Sequence, residues 1–435
     1  VTESHNARRG VMKGGIGVVG GGQLALMLGQ AARRRGIPCH VLQAREAEPA
    51  SAVATSSVLG TAGDARAMRE LADRCRAVTF EHEWLDLAAL SDLEQQGCRF
   101  VPSPAALDRL ISKRHQRELL EAMAIPCPRW LPLSRLQPDP TGEQPGAEPL
   151  ASPDPGNQQA GTATATVTPP RRAVARVRLP DGWSFPVMAK ASRGGYDGRG
   201  TRLVPDAAAL QRLMEEVPPD DWLLEEFIPF ERELALVACR DRFGTVAVYP
   251  LVETHQHGHV CDWVLAPAEA SPALQAHARN VAASLLTDLD YVGVLAIEFF
   301  WGRRGLLVNE LAPRTHNSGH YSIEACRSSQ FDQQLRIVNG ETLLDTDLTV
   351  PGALMVNLLG LDLSEAEMET RRAQLRRLPG TELHWYGKPS GAMGRKLGHI
   401  TLPLKELDAG SRRREAMEHL GQIRAIWPLP GLASA

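Results

Sequence analysis

An apolar run that ends in a glycine turn, followed at once by an amphipathic stretch and a second apolar run, constrains this chain more than any other feature. Residues 15–20, Gly-Ile-Gly-Val-Val-Gly, predict a short strand entering a turn, and residues 23–35 predict a helix with Leu24, Leu28 and Ala31 on one side. Residues 38–42 and 77–80 read as further strands. This order predicts a small domain built on a parallel sheet over residues 14–105. Residues 1–13 are expected to form a flexible tail, in which Met12 is an alternative start.

The rest of the 435 residues is too long for one ordinary core and implies further domains. Residues 106–345 carry helical signals up to about Ala124, then strands at 187–190, 222–228, 233–239 and 246–252. A helix over 270–286, a hairpin joined at Gly302-Arg-Arg-Gly305 and a helix over 323–338 follow. Residues 346–435 suggest a small, mainly β terminal domain. Residues 137–170 are rich in Pro, Gly, Ala, Ser and Thr and nearly lack large apolar side chains, so they predict a disordered insertion that cannot build a core.

The formal net charge of −3 gives no general attraction to nucleic acid or anionic membrane, so any phosphate site must be local. No apolar stretch approaches the roughly 20 residues needed to span a bilayer, and a cytoplasmic location is expected. The seven cysteines are scattered and lack a CxxC pair, which suits reduced, mostly buried thiols.

Chemistry is concentrated in five stretches. The turn Gly20-Gly21-Gly22-Gln23-Leu24-Ala25 loosely matches a dinucleotide fingerprint, and its amides suit a phosphate. Gln43 stands where a nicotinamide enzyme would want an acid, so the phosphate of another ligand is the better reading. Lys190 at a strand end precedes Gly194, Gly195, Gly198 and Gly200, interleaved with Tyr196, Asp197 and Arg199. Such a loop folds its amides over phosphates while the lysine supplies a fixed charge. Glu298 and Glu310 lie on the two hairpin strands, with Asn309 beside the second, and form a hard-oxygen set suited to Mg²⁺. Arg314, His316, Asn317, Ser318 and His320 follow, a run able to orient a small oxyanion. Finally Lys388, Arg395 and Lys396 sit beside glycines and suit a ligand phosphate.

Taken in order, GGGQLA, GGYDGRG, LLEEFI with Glu233 beyond it, VNELAPRTHNSGH, and HWYGK followed by GRKLGH resemble the ATP-grasp superfamily. Within it they are most similar to the 5-(carboxyamino)imidazole ribonucleotide synthases. The resemblance implies an α/β fold with a pre-ATP-grasp Rossmann-like sheet, an α+β ATP-grasp lid and core, and a small C-terminal domain. It assigns Lys113 and Lys190 to the ATP phosphates, Glu225, Glu226, Phe227 and Ile228 to adenine, Glu233 to the ribose, and Glu298 and Glu310 to Mg²⁺ with Asn309 nearby. Gln23, Glu81, Tyr196, Arg199, Lys388, Arg395 and Lys396 face the aminoimidazole ribonucleotide, with Glu83 a further carboxylate beside Glu81. Arg314, His316 and Asn317 line the bicarbonate and phosphoryl-transfer region, and Asp197 manages the proton of the amine.

The chemistry so implied is ATP- and bicarbonate-dependent carboxylation of 5-aminoimidazole ribonucleotide through carboxyphosphate, a step of purine synthesis performed by a homodimer. Another acyl-phosphate ATP-grasp ligase, such as a formate-dependent glycinamide ribonucleotide transformylase or a biotin carboxylase, is the nearest alternative. The YGK and GRK pair and the GGYDGRG loop separate them. A nucleotide-binding regulatory protein with a degenerate site is the alternative from another class.

Overall fold

The computed structural model describes residues 14–138, 177–195, 200–388 and 393–431. These form two compact units. One runs to Cys127 and resumes at Ile228, and the other takes Pro128–Gly195 and Gly200–Phe227.

The first unit opens with a four-stranded parallel sheet in the order Ser56–Leu59, Cys39–Gln43, Ile16–Val19, Ala77–Phe80. Ile16 stands opposite both Cys39 and Ala77, and all four residues of its strand are buried, as expected of a central parallel strand covered on both faces. The helix Gln23–Arg34 buries Leu26 and Met27 as well as the anticipated Leu24, Leu28 and Ala31, because it packs against the helix Gln330–Asn339 and the turn Pro49–Ala52. The strand Ser56–Leu59 and the helix Ala65–Arg74 carry weak sequence signals. The strand is a half-exposed edge, and the helix starts at Asp64, whose side chain accepts from the amides of Arg66 and Ala67.

A nine-stranded sheet forms the rest of the frame. Its path runs Gly305–Ala312, Gly293–Gly302, Arg232–Arg240, Val252–His257, Val260–Ala266, Gly352–Leu359, Lys396–Leu404, Glu382–Trp385, with Val246–Val248 beside Arg232–Arg240. The strands after residue 346 therefore extend the sheet that carries the hairpin. The helices Glu365–Leu375 and Ala409–Ile426 pack with them. Two expected elements are interrupted. Residues 246–252 divide at Pro250, and the helix expected over 323–338 becomes Ser322–Ala325 and Gln330–Asn339. The second break follows from Ser329, which caps the new helix in a reciprocal capping box with Asp332.

The second unit holds an antiparallel sheet in the order Trp130–Pro132, Trp222–Glu226, Val187–Ala191, Thr201–Val204. Leu210, Leu213 and Met214 of the helix Ala207–Glu216 join Val187, Ala189 and Leu224 in its core. Gln137–Pro138 pairs with Val177–Arg178, so the stretch expected to be disordered from residue 137 begins in a strand, and its remainder lies outside the described residues.

The α/β expectation thus holds, with a parallel N-terminal sheet and antiparallel sheets beyond it. All seven cysteines are thiols and six are buried. No helix among the described residues is long and apolar enough to cross a membrane.

Gly20 makes the first turn possible. Its φ is +116°, and a Cβ there would fall 2.2 Å from Cγ of Glu81. Gly20→Ala is expected to cost about 2–3 kcal/mol through that clash and the left-handed backbone. An unchanged urea-unfolding midpoint for the variant would refute this account of the turn.

Candidate active site

The hairpin Gly293–Gly302 and Gly305–Ala312 sets the centre of the site. Its register shifts between Glu298 and Phe299, so that Glu298 faces Glu310 while Phe299 faces Val308, and Asn309 is the extra residue of the bulge. The bulge turns Glu310 onto the face of Glu298. Glu233 on the neighbouring strand, where Ala235 opposes Glu298 and Phe300 opposes Glu233, lies diagonally across on the same face.

Like charges held this close must be compensated. Lys113 Nζ meets Glu310 Oε1 at 2.6 Å, and His316 Nε2 lies 3.5 Å from Glu298 Oε1. Lys113 is delivered by the helix Lys113–Ala122, which Gln116 rivets to the hairpin by donating to the carbonyl of Leu311 (2.8 Å) and accepting from its amide (3.0 Å). Buried Arg117 donates to the carbonyl of Asn309 (2.6 Å). Burial, then the charge of Glu310, pushes the Glu298 carboxyl up to about 7 against the pull of Lys113, Lys396 and Arg314. Glu233 is raised to about 7 by burial and by Glu298, opposed by His255.

The polar run sits beside these acids. Arg314 Nε is 2.8 Å from Glu83 Oε1, and His316 Nδ1 lies 2.9 Å from Ser318 Oγ. Asn317 is buried and its amide pairs reciprocally with that of Asn357.

At the first turn, two of the amides expected to suit a ligand phosphate are taken by the chain itself. Glu81 accepts from the amides of Gly22 (2.7 Å) and Ala25 (2.8 Å), so the anion at this helix terminus is the chain's own carboxylate. Burial raises the pKa of Glu81, while the two amides and Lys388 oppose the rise. Lys388 Nζ donates to Gln23 Oε1 (2.6 Å) and to the carbonyl of Lys396 (2.9 Å), and lies 5.2 Å from the Tyr386 ring centre. Lys396 is buried and Arg395 is exposed. Gln23, Glu81, Lys388 and Lys396 therefore belong to one cluster, and the electrostatic reach of Lys396 to Glu298 joins it to the acids.

In the second unit, Lys190 Nζ meets Glu225 Oε2 at 2.7 Å, and both side chains are buried. Glu226 pairs with Arg129 (2.9 Å). Gly194 and Gly200 both adopt φ of +79°, and the amide of Ala191 donates to the carbonyl of Gly200 (2.7 Å), closing the glycine loop at its base. Gly195 lies within that loop. Phe227 follows the strand Trp222–Glu226 and is exposed, whereas Ile228, in the first unit, is buried. Tyr196, Asp197, Gly198 and Arg199 lie outside the described residues.

Sequence reasoning overlooked His255. It stacks on Trp263 with ring centres 5.3 Å apart, bonds Asp262 (3.2 Å) and feels Glu233, and the hydrogen bond to Asp262 chiefly raises its pKa. Its only signal in the sequence was its place in a short, mostly polar strand, Val252–His257, two residues after Glu253.

Mg²⁺ fits the donor set. Among the described residues no three His, Cys, Asp or Glu side chains converge as a metal cluster. A facing pair of carboxylates is nevertheless the kind of oxygen donor set that a hard cation shared with substrate phosphates takes.

Residues 12–110 match the ribonucleotide synthetase preATP-grasp domain, 171–331 the ATP-grasp domain, and 353–413 the phosphoribosylaminoimidazole carboxylase C-terminal domain. The N5-carboxyaminoimidazole ribonucleotide synthase of Synechococcus elongatus is 43% identical over 96% of this chain and 96% of its own. The carboxyaminoimidazole ribonucleotide synthase of Aspergillus clavatus complexed with ATP superposes with a TM-score of 0.78 at 27% identity, over 95% of this chain and 99% of that one. Its complex with ADP and 5-aminoimidazole ribonucleotide gives 0.76 at 27% identity, covering 95% and 98%.

The raised carboxyls fix a pH dependence. Their folded pKa values of about 7 exceed the ordinary 4.5, so their contribution to stability is fully present below about 4.5 and is lost as pH rises through about 7. The melting midpoint of ligand-free protein should fall between about pH 5 and about pH 8, and Glu298→Gln should flatten that fall. Parallel profiles for variant and parent would contradict the assignment.

Proposed function

The chain belongs to the N5-carboxyaminoimidazole ribonucleotide synthase family of ATP-grasp enzymes, and from that membership we infer that it is a ligase that carboxylates 5-aminoimidazole ribonucleotide at the expense of ATP in purine biosynthesis. The observation that carries the reading is the facing pair Glu298 and Glu310, flanked by Lys113 and His316.

Bicarbonate is the carboxyl donor in this reading. One of its oxygens attacks the γ-phosphorus, the bond to the bridging oxygen breaks, and ADP leaves with that electron pair, giving carboxyphosphate. The exocyclic amine then takes the carboxyl carbon, directly or as CO₂, releasing phosphate and one proton. Lys113 and Lys190 neutralise the phosphates. Both are held by carboxylates, Glu310 and Glu225, so their ammonium groups are fixed in direction before ATP arrives. Mg²⁺, held by Glu298 and Glu310 with Asn309 nearby, would supply further charge neutralisation on the phosphates.

Glu233 serves the ribose, and Glu225, Glu226, Phe227 and Ile228 serve the adenine. Arg314, His316 and Asn317 serve bicarbonate and the transferring phosphoryl group. Gln23, Glu81, Tyr196, Arg199, Lys388, Arg395 and Lys396 serve the aminoimidazole ribonucleotide, and Asp197 takes the proton from the amine. The glycines 194, 195, 198 and 200 cover the phosphates with their amides. The division into residues 14–105, 106–345 and 346–435 is supported by the three matched stretches. A cytoplasmic homodimer completes the proposal.

ADP release from ATP and Mg²⁺ should require both bicarbonate and 5-aminoimidazole ribonucleotide, with the acid-labile carbamate trapped as product. Turnover indifferent to the ribonucleotide would discard the assignment in favour of another acyl-phosphate ligase.

A further inference from the structure

We propose that Gln330 and Asn357 are positioning residues for this reaction, two buried amides that hold the backbone of His316 and the side chain of Asn317 in their working orientations. The inference rests on the functional reading above.

A primary amide without solvent access costs several kcal/mol unless its atoms are bonded. Gln330 is fully buried, and both ends of its side-chain amide reach the main chain of one residue. Oε1 accepts from the amide of His316 (2.8 Å) and Nε2 donates to the carbonyl of the same residue (2.7 Å). One side chain thus grips both main-chain groups of His316, as a neighbouring strand would. Nε2 also donates to His320 Nδ1 (3.1 Å), an imidazole that burial keeps neutral by holding its pKa well below 6.5. The amide of Gln330 donates to Ser322 Oγ (3.0 Å), and that hydroxyl donates in turn to the carbonyl of Gly319 (2.5 Å). Gly319 leaves room for the clamp, since a Cβ there would lie 2.7 Å from Oε1 of Gln330.

The clamp is mounted on rigid parts. Gln330 is the first residue of a helix fixed by the Ser329 and Asp332 capping box. Asn357 lies in the fully buried strand Gly352–Leu359. Its Oδ1 accepts from Asn317 Nδ2 (2.9 Å), and its Nδ2 donates to Asn317 Oδ1 (2.7 Å) and to the carbonyl of Cys261 (2.9 Å). With the main chain of His316 and the amide of Asn317 held this way, the imidazole of His316 is left directed at Glu298. Reactions that depend on orientation lose rate steeply when a group shifts by about 1 Å.

The test is a double-mutant cycle on the full chain with Gln330→Met, which keeps the length and removes the hydrogen bonds, and His316→Ala. Gln330→Met should lower kcat about 10- to 100-fold and leave KM for ATP within about twofold. In the His316→Ala background it should add no further loss, because its effect passes through His316. An unchanged kcat, a loss confined to KM for ATP, or equal losses in both backgrounds would overturn the proposal. If Gln330→Met does not fold, Gln330→Glu replaces it in the same cycle, and failure of both to fold would assign Gln330 to folding instead. Wild-type ADP release that ignores the aminoimidazole ribonucleotide sinks the functional reading, whereas the cycle on the remaining bicarbonate-dependent ADP release still decides the clamp.

Discussion

Two carboxylates set directly across a β-hairpin repel one another, and the first unit is arranged around that repulsion. Glu298 and Glu310 share a face only because the bulge inserts Asn309 between the paired positions. A fold selected for stability alone would not place like charges opposite each other. The neighbours show how the strain is offset. Lys113 reaches Glu310, His316 approaches Glu298, and Lys396 and Arg314 add positive potential. They arrive on three elements, so the helix Lys113–Ala122, the loop after the hairpin that carries Arg314 and His316, and the strand Lys396–Leu404 are all committed by the same pair of acids.

A second tier of polar groups fixes the first. Gln116 locks the lysine-bearing helix to the backbone of Leu311, Glu83 pairs with Arg314, and Gln330 and Asn357 hold the polar run. Most of these side chains are buried or half-buried and bond several partners, which gives direction to charged groups that would otherwise sample many rotamers. The glycine turn follows the same logic. Glu81 satisfies amides that a helix start leaves unpaired, and it brings negative charge to within electrostatic reach of Lys388. The site thus carries its own anions where a fingerprint reading expects a ligand's phosphate.

Much was legible from residue order because strands and turns announce themselves locally. The run Ile16–Val19, the strand Ala77–Phe80 and the hairpin emerged close to where they were expected. Elements whose signal is weak or tertiary were harder. Ser56–Leu59 is an edge with little alternation, and the break ahead of Gln330 depends on the reciprocal cap of Ser329 and Asp332. His255 was missed because a histidine in a short, mostly polar strand carries no chemistry until Asp262, Trp263 and Glu233 are seen around it.

The sequence by itself determined the order of elements, the glycine loops, and the identity of the acids, lysines and polar run, since residue type and spacing encode backbone propensity and chemical capacity. Only the tertiary structure decided which of these meet. Glu81 and the Gly22 amide are 59 residues apart, Lys388 and Gln23 are 365 apart, and Gln116 and Leu311 are 195 apart. Pairings at such separations depend on sheet register and helix packing, in which a one-residue shift would turn every side chain of a strand to the opposite face. Gln330 and Asn357 make the point in its plainest form. In sequence they are two unremarked amides, and burial beside His316 and Asn317 is what gives their hydrogen bonds direction.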